Sequence, residues 1–212
     1  MKLLTVGDSF TYGEELENRS LAWPYLIANK SGWIVTNLAK PGKSKDFILR
    51  QVVENIHDYD IVIIAWSHFA RFEYSDEWGV YDIWPGSLGN LFDGEVAYRK
   101  DIIDYVTKHH DDQYLYTQYL LDIILLQNYL KVNDKKYIML DAFGNTKPNV
   151  RNLNTELAKQ IDPTYYLGWP NQSMMEWTYG APQGTGGHFL EEGHKIVAEK
   201  IYEYIRHLGW IS

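Results

Sequence analysis

A chain of 212 residues, 45% hydrophobic and 23% charged, is long enough for one substantial core and short for two domains. Its formal net charge of -8, with no lysine–arginine cluster to offset it, argues against nucleic-acid binding. The lack of cysteine excludes disulfides, thiolate catalysis and cysteine-held metals, and no apolar run approaches a membrane span.

Leu3 to Val6 reads as a first strand that stops abruptly at Gly7-Asp8-Ser9-Phe10-Thr11-Tyr12-Gly13, too soon for a secretory signal. Leu21 to Ala28 reads as a helix, with Pro24 in the first turn where a missing N–H costs nothing. Trp33 to Leu38 returns to strand character. Lys45 to Ile56 carries Phe47, Ile48, Val52, Val53 and Ile56 at helical spacing. The wholly apolar run Ile61 to Ala65 predicts a central parallel strand buried on both faces.

From Trp66 to about residue 95 the periodicity is lost and aromatics crowd in, among them Phe69, Phe72, Trp78, Trp84 and Phe92. An insertion there is expected to rim a ligand crevice. Helical spacing resumes over Val96 to Val106 and Leu115 to Leu130, and Tyr137 to Leu140 predicts a strand ending at Asp141. Asn145 to Tyr179 reads as irregular. Ile196, Val197, Ile201, Tyr204 and Ile205 then mark one stripe of a last helix.

This alternation predicts a single α/β domain over residues 1–212, a three-layer α/β/α sandwich with a mostly parallel sheet. Ligands of such folds bind beyond the carboxyl ends of the strands. Ser9, the loop after Leu38, the loop after Ala65 and Asp141 all fall at that edge.

Ser9 at a strand end and His188 before the last helix are the residue types of a nucleophile and its base, a pairing defined by geometry with no universal spacing. Ser9 also suits an N-cap at a strand–helix junction, and His188 a polar helix-entry position. His194 reads as structural. His109-His110-Asp111-Asp112 lacks zinc-ligand spacing, and the glycines of 7–13 lack a phosphate-loop pattern, so no metal or cofactor is expected.

Gly7-Asp8-Ser9 with Gly13 resembles the first block of the SGNH (GDSL-like) hydrolases, esterases with a flavodoxin-like fold. Asn37-Leu38-Ala39-Lys40-Pro41-Gly42-Lys43-Ser44 resembles their second block, and His188 with Gly193-His194 their last. The form around Ser67 and Arg71-Phe72-Glu73 looks like divergent members from tailed bacteriophages. The resemblance implies Ser9 as nucleophile, His188 as base, and the backbone N–H groups of Ser9 and Gly42 as oxyanion donors.

Two positions depart from that pattern. The loop after the third strand reads Ala65-Trp66-Ser67-His68, without the family's asparagine, and Ser67 is the expected substitute donor. The aspartate three residues before the base is replaced by Thr185. Glu176 is the first candidate to orient His188 in its place, with Asp141 or a backbone carbonyl as alternatives. Trp66, His68, Arg71 and Glu73 are candidate substrate contacts, although an Arg–Glu pair and buried aromatics would equally hold the insertion down.

The expected function is a serine ester hydrolase acting on a small ester or an O-acetylated sugar, in a bacterial cytoplasm during infection and with virion association open. The alternative is a hydrolase fold kept as a carbohydrate-binding or phage-associated structural protein. The sequence leaves the oligomeric state undetermined.

Overall fold

Four apolar runs build the centre of the molecule, whose computed structural model describes residues 1–77, 79–83, 104, 108, 111–144 and 155–211. β1 (Lys2–Val6), β2 (Ile34–Asn37), β3 (Ile61–Trp66) and β6 (Lys136–Asp141) form one sheet in the order β2-β1-β3-β6. Every pairing in it is parallel, with Leu3 opposite both Val35 and Ile61, and Ile63 opposite Ile138. All six residues of β3 are buried, as a strand covered on both faces requires.

Alternation along β3 sorts its side chains into two cores. Ile61, Ile63 and Ala65 pack with Trp23 and Ile27 of α2 (Trp23–Ser31) and with Val197, Ile201 and Ile205 of the last helix, α7 (Glu191–His207). Val62, Ile64 and Trp66 pack with Phe47, Ile48 and Val52 of α3 (Lys45–Asn55) and with Tyr119, Leu120 and Ile123 of α4 (Asp112–Val132). Helices therefore cover both faces, and a side-chain period of two decides which residue meets which layer. Among the described residues no helix is long and apolar enough to cross a membrane.

Part of the aromatic insertion is regular where the sequence suggested no period. β4 (Phe72–Asp76) and β5 (Gly79–Ile83) pair antiparallel, with Tyr74 opposite Tyr81, as a separate two-stranded sheet. Polar contacts pin this hairpin to the second block. The Asp82 carboxylate accepts from Ser44 N at 2.8 Å and pairs with Lys43. Glu73 N donates to Asp46 at 2.8 Å, and Arg50 Nη2 reaches Glu73 at 2.8 Å. The segment 155–179 holds two single-turn helices, α5 (Thr155–Ala158) and α6 (Met174–Trp177). Trp78, Trp84, Phe92, His109, His110 and most of the helix expected over 96–106 lie outside the described residues.

Candidate active site

β1 ends in a turn that only a few residue types allow. A Cβ on Gly7 would lie 2.2 Å from Thr11 Oγ1, so glycine is required there. The next residue, Asp8, is the N-cap of the short helix α1 (Ser9–Tyr12), and its Oδ1 accepts from Phe10 N at 3.1 Å. The cap role that suited Ser9 thus falls to Asp8. Ser9 becomes the first helical residue, with a backbone N–H that meets no acceptor among the described residues. Gly13, at φ 84°, ends the turn.

Asp8 is fully buried, and burial pushes its carboxyl up to about 6 against the opposing pull of Arg71. Arg71 Nη1 lies 3.5 Å from Asp8 Oδ2, and its guanidinium sits 4.9 Å from the Phe143 ring centroid. Phe10 packs against Phe143 at 5.1 Å and against His188 at 4.9 Å between centroids. His68 lies 6.3 Å from Phe143 on the same wall, with Nδ1 accepting from Ala70 N at 3.2 Å. His68, Arg71 and His188 therefore lie against one pair of aromatic rings, and Ser9 directly precedes one of them in the chain. Ser9 Oγ and His188 make no direct hydrogen bond among the described residues, and apo catalytic pairs often tighten only with substrate in place.

The carboxylate on His188 is that of Glu15. Glu15 Oε2 is 2.9 Å from His188 Nδ1 and accepts from His188 N at 3.2 Å. Its Oε1 accepts from Gly186 N at 2.7 Å and from Thr185 Oγ1 at 3.1 Å. The Gly186 N–H first, and then the imidazole, hold this carboxyl down to about 2. The sequence offered little to mark it. Glu15 lies between Glu14 and Glu17, outside the motifs that mark Ser9 and His188. The one available signal was Gly184, Gly186 and Gly187 before His188, small residues that leave room for a side chain from elsewhere.

Glu176 does not fill this place. Its carboxylate closes a capping box on α6, accepting from Ser173 N at 2.7 Å and from the Ser173 hydroxyl. A glutamate three residues after a serine is that box's sequence signature, which outranks a reach toward His188. Asp141 is likewise engaged, accepting from Tyr166 Oη at 2.9 Å and from the Tyr119 hydroxyl in a buried cluster.

Two expected substrate contacts also fall away. Trp66 is fully buried in the α3–α4 core, edge-on to Tyr119, so it is a packing residue. Glu73 is held by Arg50 in an ion pair that fixes the hairpin, and Arg71 turns to Asp8 instead. His194 is structural, as expected. Its Nδ1 accepts from Trp23 N at 3.2 Å at the start of α2, and burial, with His188 nearby, pushes the imidazole down to about 3.

The second block follows β2 and carries Gly42. Asn37 Nδ2 donates to Thr11 O at 2.9 Å and so ties this block to the serine turn. Gly42 holds φ 72°, and its N–H meets no acceptor among the described residues. Ser67 follows β3 and is fully buried. No group of three or more His, Asp or Glu among the described residues could hold a metal ion.

The profile of a family described as a family of unknown function (DUF6071) matches residues 11–212. No curated protein matches the chain. Among solved structures, the psychrotrophic esterase EstA from Pseudoalteromonas sp. aligns at TM-score 0.58 and 12% identity, over 98% of this chain and 97% of that one. A putative lipolytic protein of the G-D-S-L family from Desulfitobacterium hafniense aligns at 0.51 and 14%, over 96% and 98%. A family two carbohydrate esterase from Clostridium thermocellum, solved with cellohexaose, aligns at 0.55 and 14%, over 99% of this chain and 65% of that one. At such identities the likeness is one of fold, a distant kinship with esterase and lipase structures.

Proposed function

The chain belongs to DUF6071, a family of unknown function, so its activity has to be read from its site, and we propose that it is a serine ester hydrolase. The observation that carries this reading is the meeting of two sequence blocks from opposite ends of the chain. The Phe10 ring lies against His188, at the carboxyl edge of the sheet, where the Ser9 and Gly42 N–H groups meet no acceptor among the described residues. The order β2-β1-β3-β6 supports the flavodoxin-like winding that belongs to the same reading.

In the reaction Ser9 Oγ attacks the ester carbonyl while its proton passes to His188 Nε2. Negative charge then develops on the carbonyl oxygen, where the Ser9 and Gly42 N–H groups donate to it, with Ser67 in the place of the missing asparagine. His188 returns the proton to the departing alcohol, leaving an acyl group on Ser9. Water then attacks the acyl carbon while giving a proton to His188, the bond to Ser9 Oγ breaks, the carboxylic acid leaves and His188 returns the proton to Ser9. One oxyanion donor contributes about 3 kcal/mol to such a transition state.

The substrate class is a short-chain acyl ester, with O-acetylated carbohydrates first in line. The fold shared with a carbohydrate esterase supports that choice, as do Arg71 and the Phe10–Phe143 wall beside the serine. A second reading, a binding or phage-associated protein without turnover, is favoured by the absent Ser9–His188 hydrogen bond and the absent asparagine. Hydrolysis of an aryl acetate and labelling by an active-serine phosphonate probe decide between them. Both are expected in the native protein and both are lost in Ser9→Ala. Labelling that survives Ser9→Ala, or no turnover and no labelling at all, overturns the hydrolase reading.

A further inference from the structure

Thr185 stands where the family pattern would place the acid, and the structure shows what that threonine does instead. Its hydroxyl donates to a carboxylate that arrives from another part of the chain. We propose that Glu15 is the positioning residue of His188, a relocated acid that has exchanged sequence position with the usual aspartate; its catalytic consequence rests on the hydrolase reading.

Three observations converge on it. The first is the division of labour within the carboxylate. Oε1 is occupied by Gly186 N and Thr185 Oγ1, which fix the side chain, whereas Oε2 faces the ring nitrogen and the backbone of His188. A simple loop brace accounts for the Oε1 contacts and leaves the ring contact unexplained. With Nδ1 as donor to Oε2, the neutral imidazole keeps its lone pair on Nε2, the atom a general base needs.

The second is the loop's shape. A Cβ on Gly184 would come within 2.5 Å of Glu15 Oε1, and one on Gly186 within 3.0 Å of Oε2. Residues 184–188 are thus moulded around a foreign carboxylate, by backbone that a side chain would block. The third is Glu15 itself, which holds φ 64°, a left-handed conformation costly to any residue with a Cβ. Strain kept at one residue whose side chain meets a base points to a task for that residue. The rival carboxylates, Glu176 and Asp141, are committed elsewhere.

The exchange predicts a reciprocal pattern of variants, read as aryl acetate turnover. Glu15→Gln is expected to lower kcat about a thousandfold with KM within about threefold, below the ten-thousandfold loss of a trypsin-type acid because about a fifth of each partner's side chain stays exposed. Thr185→Asp alone sets a second carboxylate against Glu15, and its kcat falls at least tenfold. The pair Glu15→Ala with Thr185→Asp moves the acid to the family's position and regains at least tenfold over Glu15→Ala. A Glu15→Gln enzyme with more than a third of native kcat, or a double variant no better than Glu15→Ala, overturns the proposal.

A measurement on the unaltered protein needs neither turnover nor a stable variant. Nitrogen-15 correlation spectra are expected to show neutral His188 as the Nδ1–H tautomer, and Glu15→Ala to shift it toward Nε2–H. An Nε2–H tautomer in the native protein overturns the contact outright. An Nδ1–H tautomer lost in Glu15→Ala, in a protein without esterase activity, upholds the positioning contact and sinks the hydrolase reading alone.

Discussion

Glu15 combines an unfavourable backbone with four accepted hydrogen bonds, and the two can be separated by substitution. Glu15→Ala and Glu15→Gly both remove the carboxylate, but only glycine tolerates φ 64° without a Cβ clash. Glu15→Gly is therefore expected to be the more stable variant by about 1 kcal/mol, net of glycine's greater unfolded-state entropy, in urea unfolding. Equal stability would show that the backbone at residue 15 relaxes once its side chain is gone. At this scale the sequence was legible where a role attaches to a residue type in a local pattern. Gly7 and the Asp8-Ser9 turn could be read in that way. Glu15 could not, because its role is defined by a loop 173 residues away. Glu176 failed for the converse reason: Ser173 lies three residues before it, and the nearer partner won.

Hydrophobic period fixed the elements well wherever burial on a sheet face enforced it. β3 and α3 fall within a residue of their expected bounds, and the expected apolar stripe lies inside α7, because a slip would turn Ile61, Val52 or Ile201 toward water. The hairpin was missed because β4 and β5 form their own two-stranded sheet, and only Ile83 among them is a buried core residue, so no strict apolar alternation was imposed. What holds the hairpin is polar, and that carries a prediction. Asp82, with a side chain only 6% exposed, anchors Ser44 N and Lys43 next to the Gly42 turn. Asp82→Ala is expected to cost about 1–3 kcal/mol of stability, since it strands a buried donor. On the hydrolase reading it also lowers kcat about tenfold by loosening an oxyanion donor. Arg50→Ala, at the more exposed pair with Glu73, should cost under about 1 kcal/mol. Similar losses in the two variants would refute the distinction between them.

For the molecule as a whole, three of the shifted groups, His194, Glu15 and Asp8, bear on the response to acid. His194 is pushed down from 6.5 to about 3, so its contribution is full above pH 6.5 and is lost as pH falls toward 3. Glu15, lowered from 4.5 to about 2, contributes fully above pH 4.5 and loses that contribution toward 2. Asp8 has the opposite sign. Raised from 3.8 to about 6, it binds a proton in the folded state first, so its contribution is full below 3.8 and is lost as pH rises through 6. Between about pH 6 and 4 the His194 and Asp8 effects offset each other. Asp8→Asn removes one side of that balance, and its unfolding free energy is expected to fall about 1.5 kcal/mol more than the native protein's between pH 6 and 4.5. Parallel urea-unfolding profiles for the two proteins would show that Asp8 does not titrate in this window. The Glu15–His188 contact has a last consequence, in time rather than in space. Glu15 is synthesised 173 residues before the ring it holds, and before the 184–188 loop that surrounds its carboxylate. On the hydrolase reading, a nascent chain therefore displays an idle serine until residues 184–188 have been made, and turnover begins only when these two segments of the fold join.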